Sequence, residues 1–297
     1  GRERYTYKMP GPNPVFDHLH TKTVEELGHS GDLITIKGNT VVEDAVKLLS
    51  DKKILSVPVM NEKGECMGLL DILDVIHYLT RAAPDEVSLE RDHLGTMEIA
   101  GRAIALEEVS RIVNLSGRDP FVPVYTSNMA TFPIELFKTG LHRVPLCNSE
   151  GTLCGTLSQV DIVRYLNENI IVGDMKQVAS KTAAELGLAS KPVKAINMHD
   201  SVLTAVQLIA ENDISGLGVI NSSGQLAGNF SASDCKHLYR EQIPDFLLPV
   251  GEFLEKHSPN SMKAICCRAD STLKEILEEM CNSRVHHLFV LDDDRKP

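Results

Sequence analysis

Ile54-Leu-Ser-Val-Pro-Val59 returns three times along the chain, as Leu141-His-Arg-Val-Pro-Leu146, Ile214-Ser-Gly-Leu-Gly-Val219 and Val285-His-His-Leu-Phe-Val290. Each copy is apolar or β-branched at both ends and short enough for a buried strand. Turn chemistry follows at once in Asn61-Glu-Lys-Gly64, Asn148-Ser-Glu-Gly151 and Asn221-Ser-Ser-Gly224, where Asn and Gly supply the conformations of a tight hairpin. Fourteen residues after the first three strand starts stand Gly68, Gly155 and Gly228, each read as opening a second strand that runs into a helix. Upstream of the strand lies a helical stripe: Val42, Ala45, Val46 and Leu49 in the first copy, Val202, Ala205, Val206 and Ile209 in the third, Leu273, Ile276, Leu277 and Met280 in the fourth. The unit is therefore strand, helix, strand, turn, strand, helix, over about 60 residues, and a self-similarity of that length dictates the architecture. Pro133 marks the second copy as the least regular, at a place the first helical turn tolerates. The same spacing counted from Val285 passes Pro297, so the fourth unit is expected without its last strand, last helix and closing motif.

Around this unit the composition is that of an ordinary globular protein: 297 residues, 42% hydrophobic and 24% charged. The balance of 30 Lys plus Arg against 41 Asp plus Glu, net −11, repels polyanions and argues against nucleic acid or anionic membrane as partners. No apolar run approaches the roughly 20 residues that span a bilayer. Seven cysteines, odd in number and without a C-x-x-C pair, point to a reducing compartment, cytoplasmic or also nuclear. Cys266-Cys267 and the scattered His18, His20 and His29 lack metal-ligand spacing; they read as buried thiols and a solvated N-terminal segment, and no metal or cofactor is expected.

Chemistry enters at the second strand's end. Gly68-Leu-Leu-Asp-Ile-Leu-Asp74, Gly155-Thr-Leu-Ser-Gln-Val-Asp161 and Gly228-Asn-Phe-Ser-Ala-Ser-Asp234 place an Asp six residues after the Gly three times over. One reading is structural: Ser158 or Ser231 caps a helix and Asp161 or Asp234 complements its dipole. The other is functional: hydroxyl and amides meet a phosphate or sugar while the carboxylate of Asp74, Asp161 or Asp234 accepts two vicinal ribose hydroxyls. Recurrence at one offset favours the second, since a cap alone accepts Thr, Asn or Glu equally well. Val144, Leu146 and Leu157 are candidates for an adenine slot, and are core positions on either reading. His142-Arg143 and His286-His287 occupy equivalent places in units two and four and read as a shared anion cradle. If those imidazoles carry the charge, affinity for a phosphorylated ligand falls as pH rises through about 6–7. Neither a nucleophile elbow, nor a phosphate loop, nor H-E-x-x-H occurs, so no catalysis is expected.

These features resemble CBS domains, which pair into Bateman modules. Four units with Leu-His-Arg-Val-Pro in the second and Val-His-His-Leu in the fourth are similar to the γ regulatory subunit of AMP-activated protein kinase, nearer the plant-type members through Ile54–Pro58, Gly228–Ser231 and Phe246–Glu255. The resemblance implies an α+β fold, with tandem repeats paired into two modules of a pseudo-symmetric disc. It divides the chain into an extension (1–22), repeat one (23–82), a linker helix with repeat two (83–170), repeat three (175–241) and a truncated repeat four (242–297). It further implies AMP, ADP or ATP as ligands, held by Asp74, Asp161 and Asp234 at the ribose and by His142, Arg143, His286 and His287 at the phosphates, and an α-type kinase catalytic subunit and a β-type scaffold subunit as partners. Three positions depart from the pattern: Asp71 replaces the Ser or Thr of repeat one, and Leu55 and Val160 stand where relatives carry cations. A constitutive scaffold with vestigial sites, or a stand-alone sensor of another adenosyl ligand, are the alternatives.

Overall fold

A computed structural model describes residues 13–28, 33–82, 93–189, 192–237 and 240–297; His29 lies outside them. The recurring segment forms the middle strand of each sheet. In repeat one, β1 (Ile36–Lys37), β2 (Ser56–Met60) and β3 (Cys66–Asp71) run in that order, the first pair parallel and the second antiparallel. Repeat two repeats this with β4 (Val124–Tyr125), β5 (Arg143–Cys147) and β6 (Leu153–Ser158), and repeat three with β7 (Ala195–Asn197), β8 (Gly216–Ile220) and β9 (Leu226–Ser231). Repeat four contributes the parallel pair β10 (Cys266–Arg268) and β11 (Phe289–Leu291).

A parallel pair needs a crossover. The amphipathic helices supply it at Val42–Lys52, Thr131–Phe137, Val202–Asn212 and Leu273–Ser283, and Pro133 is accommodated in the first turn of its helix. The hairpin turns are three copies of one device. The side-chain oxygen of Asn61 accepts the amides of Lys63 and Glu65, that of Asn148 those of Glu150 and Thr152, and that of Asn221 those of Ser223 and Gln225. Gly64, Gly151 and Gly224 close the turns with φ of 78°, 78° and 75°, a region that favours glycine.

Two boundaries differ from the sequence reading. Gly68, Gly155 and Gly228 do not open the second strand but lie inside it, opposite Val59, Leu146 and Val219. The closing helix of repeat three is a 3-10 segment, Ala232–His237, where Ser231, Ser233 and Asp234 hydrogen-bond among themselves and so compete with helical pairing. The extension also departs from expectation. Helix Pro14–His20 buries Leu19 in the core of repeat two and its His18 Nε2 lies 2.9 Å from Tyr165 Oη, so this segment is packed rather than solvated. Cys266, expected buried, is exposed.

The cores show how repeats associate. One apolar cluster joins repeats one and three through Val46, Leu49, Ile76, Val206, Ile209 and Phe230, and a smaller one joins repeats two and four through Ile170 and Leu277. The antiparallel bridges Thr23↔Met129 and Thr182↔Thr272 are matched across the two halves, as are Val41↔Glu108 and Ser201↔Pro249. Repeats one with two and three with four thus form two alike modules in one α+β disc, closed on itself by helices. No helix among the described residues is long and apolar enough to cross a membrane.

Candidate functional site

At each strand-to-helix junction one oxygen of the motif Asp is spent on its own turn. Asp74 Oδ2 accepts the Asp71 amide at 2.9 Å, Asp161 Oδ2 the Ser158 amide at 2.8 Å and hydroxyl at 2.7 Å, and Asp234 Oδ2 the Ser231 amide at 2.8 Å and hydroxyl at 3.0 Å. Ser158 also accepts from the Asp161 amide, completing a reciprocal cap. The structural reading of the motif is therefore correct for half of each carboxylate.

The other oxygen separates the three. In repeat one, Asp74 Oδ1 accepts the amide of Ser116 at 2.8 Å and its hydroxyl at 2.6 Å, while Asn114 donates its amide to Oδ2 at 3.3 Å. In repeat three, the Ser261 hydroxyl reaches Asp234 Oδ1 at 2.7 Å. Both serines belong to the segments that lead into the next repeat, and these segments also lie on the motif strands. A Cβ at Gly68 would meet Val113 at 3.1 Å, and one at Gly228 would meet the Ser261 carbonyl at 2.8 Å. Asp74, 1% exposed, is held up from its ordinary range by burial. Asp74 and Asp234 were expected to grip riboses; the chain's own hydroxyls already occupy them.

Asp161 differs. Among the described residues its Oδ1 is met only by Arg164 Nη1 at 3.0 Å, from the next turn of the same helix, and the Arg164 side chain is 53% exposed. Only the Arg164 end of the pair is exposed, the Asp161 side chain being buried, so the cation can exchange Oδ1 for water. Asp161 lines a cleft of about 950 Å³, a volume suited to a nucleotide. Gly155, Thr156 and Ser158 of repeat two line it together with Leu33, Ile34, Leu55 and Pro58 of repeat one. Val144, Leu146 and Leu157, expected at an adenine slot, are fully buried in the repeat-two core instead. The apolar wall comes from the partner repeat.

His142, Arg143, His286 and His287 all line this one cleft. Strand register brings them together. Ser56 pairs with Asp71 across β2 and β3, Arg143 with Ser158 across β5 and β6, and Gly216 with Ser231 across β8 and β9. Residues 56, 143, 216 and 287 are therefore equivalent, and they meet in pairs. Arg143 Nη1 donates to Ser56 Oγ at 2.8 Å, and a Cβ at Gly216 would lie 2.8 Å from His287 Cδ2. In each module a small residue makes room for a basic one.

The charge of this cradle is not that expected. Burial, then the Arg118 charge, lowers His142 to about 4. Burial, then His286, lowers His287 to about 4, and burial with Arg143 beside it lowers His286 as well. At neutral pH His142 and His287 are uncharged, and the basic side chains lining the cleft are Lys53, Arg143, Arg164, Lys236 and Arg284, with Arg118 beside His142. The expected loss of affinity at pH 6–7 through these histidines is thereby corrected: in the free protein they titrate lower.

Residues that carried no sequence signal complete the site. Arg118 lies 2.6 Å from His142 Nε2 and pairs with Asp213 at 2.8 Å, tying repeat two to repeat three. Asp119, buried, accepts the amides of His142 and Arg143 at 2.8 and 3.1 Å, fixing the strand start that aims them. Both precede the recurring unit's strand by more than 20 residues. Among the described residues no group of His, Cys, Asp and Glu is arranged to hold a metal.

Comparison with known proteins agrees with this architecture. The family described as CBS domain matches residues 24–81, 118–168 and 183–241. Curated relatives include protein sds23/moc1 of Schizosaccharomyces pombe, 26% identical over 71% of this chain and 53% of its own length, and protein SDS23 of Saccharomyces cerevisiae, 28% identical over 73% and 43%. The chain spans about half the length of the curated relatives it matches. Protein MJ1225 of Methanocaldococcus jannaschii, described with its crystal structure as a candidate archaeal homologue of γ-AMPK, superposes with a TM-score of 0.70 at 17% identity, over 93% of this chain and 95% of that one. An uncharacterised conserved protein of Pyrococcus horikoshii gives 0.52 at 14% identity, over 92% of each. Matched over more than half of its length by CBS-domain sequences and carrying their paired-repeat fold, the chain belongs to the CBS-domain family.

Proposed function

We propose that this protein is a non-catalytic regulatory subunit that takes one adenine nucleotide, AMP, ADP or ATP, in the Asp161 cleft. The observation that carries the reading is Asp161 itself, which lines the cleft and whose second oxygen, among the described residues, takes no hydrogen bond from a linker serine. The ribose diol would displace the exposed Arg164 from Oδ1. Leu33, Ile34 and Pro58 would cover the base, Ser158 would neighbour the sugar, and Arg143, with His142, His286 and His287, would face the phosphate. Ligand binding there spans repeats one and two and reaches residues of three and four, so it can bias a partner to the extent that its affinity differs between the partner's states. Calorimetric titration of the chain with AMP, ADP and ATP tests this: saturable heat at a stoichiometry near one supports it, and no heat with any of the three at millimolar concentration refutes it.

The partners expected from resemblance, a kinase catalytic subunit and a β-type scaffold subunit, are supported by likeness of fold to the archaeal γ-AMPK candidate; the sds23 relatives do not name a partner. Co-purification with kinase subunits would sustain that finer reading, and their absence from the complex would redirect it to another enzyme. All seven cysteines are free, in keeping with the cytoplasmic or nuclear setting we propose.

A second reading, a constitutive scaffold, is favoured by the serine-filled carboxylates of Asp74 and Asp234. It predicts that Asp161→Ala leaves both assembly and partner response intact.

A further inference from the structure

The cleft contains one group that a phosphate site does not call for. Asp71 stands where repeats two and three carry Ser158 and Ser231, is buried, and lines the same cleft as Asp161 and Arg143. The registers place it: Asp71 is the cross-strand partner of Ser56, whose hydroxyl holds Arg143 Nη1. Its Oδ1 accepts the Leu73 amide at 2.9 Å, and its other oxygen takes no hydrogen bond from a described residue. Arg143 in turn has a buried Nε without a partner among the described residues. A carboxylate with an unspent oxygen and a guanidinium with an unspent N–H thus line the same cleft.

We propose that Asp71 is a specificity-determining residue of the Asp161 cleft, an internal anion that excludes polyphosphates and admits an adenine ligand carrying at most a short phosphate. This rests on the nucleotide reading above. A monophosphate needs only the Arg143 end, whereas a triphosphate extends two further charged groups past a fixed like charge in a partly water-excluded space, where screening is weak. Burial pushes Asp71 up to about 7, opposed by Arg143 and assisted by Asp119 and Asp74, so the filter is fully charged only above neutrality.

The test is calorimetry at pH 8 with adenosine, AMP and ATP on the full chain and on Asp71→Ser and Asp71→Asn. Ser restores the residue type of the other repeats, and Asn preserves shape and the acceptor for the Leu73 amide should Ser disturb folding. The wild-type chain is expected to prefer AMP over ATP by about tenfold or more. Both substitutions are expected to tighten ATP by about tenfold while changing adenosine less than about twofold. An unchanged ratio of ATP to AMP affinity in both variants, with adenosine still bound, overturns the filter and leaves the nucleotide site standing. Absence of binding for all three ligands in all three proteins overturns the nucleotide site, and the filter with it.

Discussion

Asp74 and Asp161 are the same residue of the same repeated motif, yet one is a structural fastener and the other an open acceptor. Both spend Oδ2 on the turn that carries them. Their fates diverge at Oδ1, where Asp74 receives two hydrogen bonds from Ser116 and Asp161 receives one from a half-exposed Arg164. Asp234 follows Asp74, with Ser261 in the role of Ser116. On the proposed reading the linker hydroxyl supplies the donor that a sugar hydroxyl supplies at Asp161, so one motif serves either the chain or a ligand.

The sharpest way to break this comparison is to remove the two carboxylates in turn. Asp161→Ala should weaken AMP binding by about 100-fold or more, two charge-assisted hydrogen bonds being worth on the order of 1.5–3 kcal/mol each. It should cost folding only about 1 kcal/mol, as a lost cap does. Asp74→Ala should do the reverse, leaving AMP affinity within about threefold and costing roughly 2–4 kcal/mol, because the amides of Asp71, Asn114 and Ser116 lose their acceptor inside the core. Urea denaturation beside calorimetry reads both; equal stability losses with equal binding losses would show that the two sites are alike.

A smaller effect is expected at the serines. Ser116→Ala and Ser261→Ala should each destabilise by about 1 kcal/mol, the net worth of one hydrogen bond or somewhat more to a carboxylate. Neither should raise the AMP stoichiometry, because backbone still covers Asp74 and the Ser261 turn still lies on Gly228. Appearance of a second AMP site in either variant would mean that the hydroxyl alone closes the cleft.

Acidity sharpens the comparison further. Folded His142 and His287 are lowered from 6.5 to about 4, so the unfolded chain binds more protons between those values. Their contribution to stability is present above about 6.5 and is lost as pH falls toward 4. Asp71, raised from 3.8 to about 7, works in the opposite sense: its contribution is present at acid pH and is lost as pH rises through about 4 to 7. Asp71→Asn should therefore steepen the loss of melting temperature between pH 6.5 and 4, and His287→Gln should flatten it. For binding, an arriving phosphate opposes ionisation of Asp71, which already feels Arg143, Asp119 and Asp74 in a cleft also lined by His142, His286, His287 and Lys236, so AMP affinity should fall as pH rises through about 7. That slope should vanish in Asp71→Asn; its persistence there would assign it to another group.

The fold was legible because its signals are local. The apolar strands, the Asn and Gly turns and the helical stripes each specify a conformation within a dozen residues, and repetition multiplied them. The Asp was legible for the same reason, as was the meeting of His142, Arg143, His286 and His287, which follows once equivalent strands are packed about one axis. What could not be read depends on chain outside the repeated unit. Ser116 and Ser261 lie 42 and 27 residues beyond the carboxylates they fill, at no common offset. Arg118 acts by tying repeat two to Asp213 of repeat three, and Asp119 by accepting amides more than 20 residues further along its own repeat. The neutrality of His142 and His287 likewise comes from burial that no spacing reveals. Val144, Leu146 and Leu157 were drawn toward the ligand by their position in the strand, yet Val144 and its cross-strand partner Leu157, with Leu146 two residues on, share the face that packs into the repeat-two core, and the apolar wall falls to the neighbouring repeat.

The most direct measurement is a double-mutant cycle between protein and ligand: AMP and 2′,3′-dideoxy-AMP titrated against the wild-type chain and against Asp161→Ala. If Asp161 holds the diol, removing both hydroxyls should weaken binding to the wild type by about 100-fold and to Asp161→Ala hardly at all. If the hydroxyls matter equally in both proteins, or in neither, Asp161 does not grip the sugar and the account of this cleft is wrong.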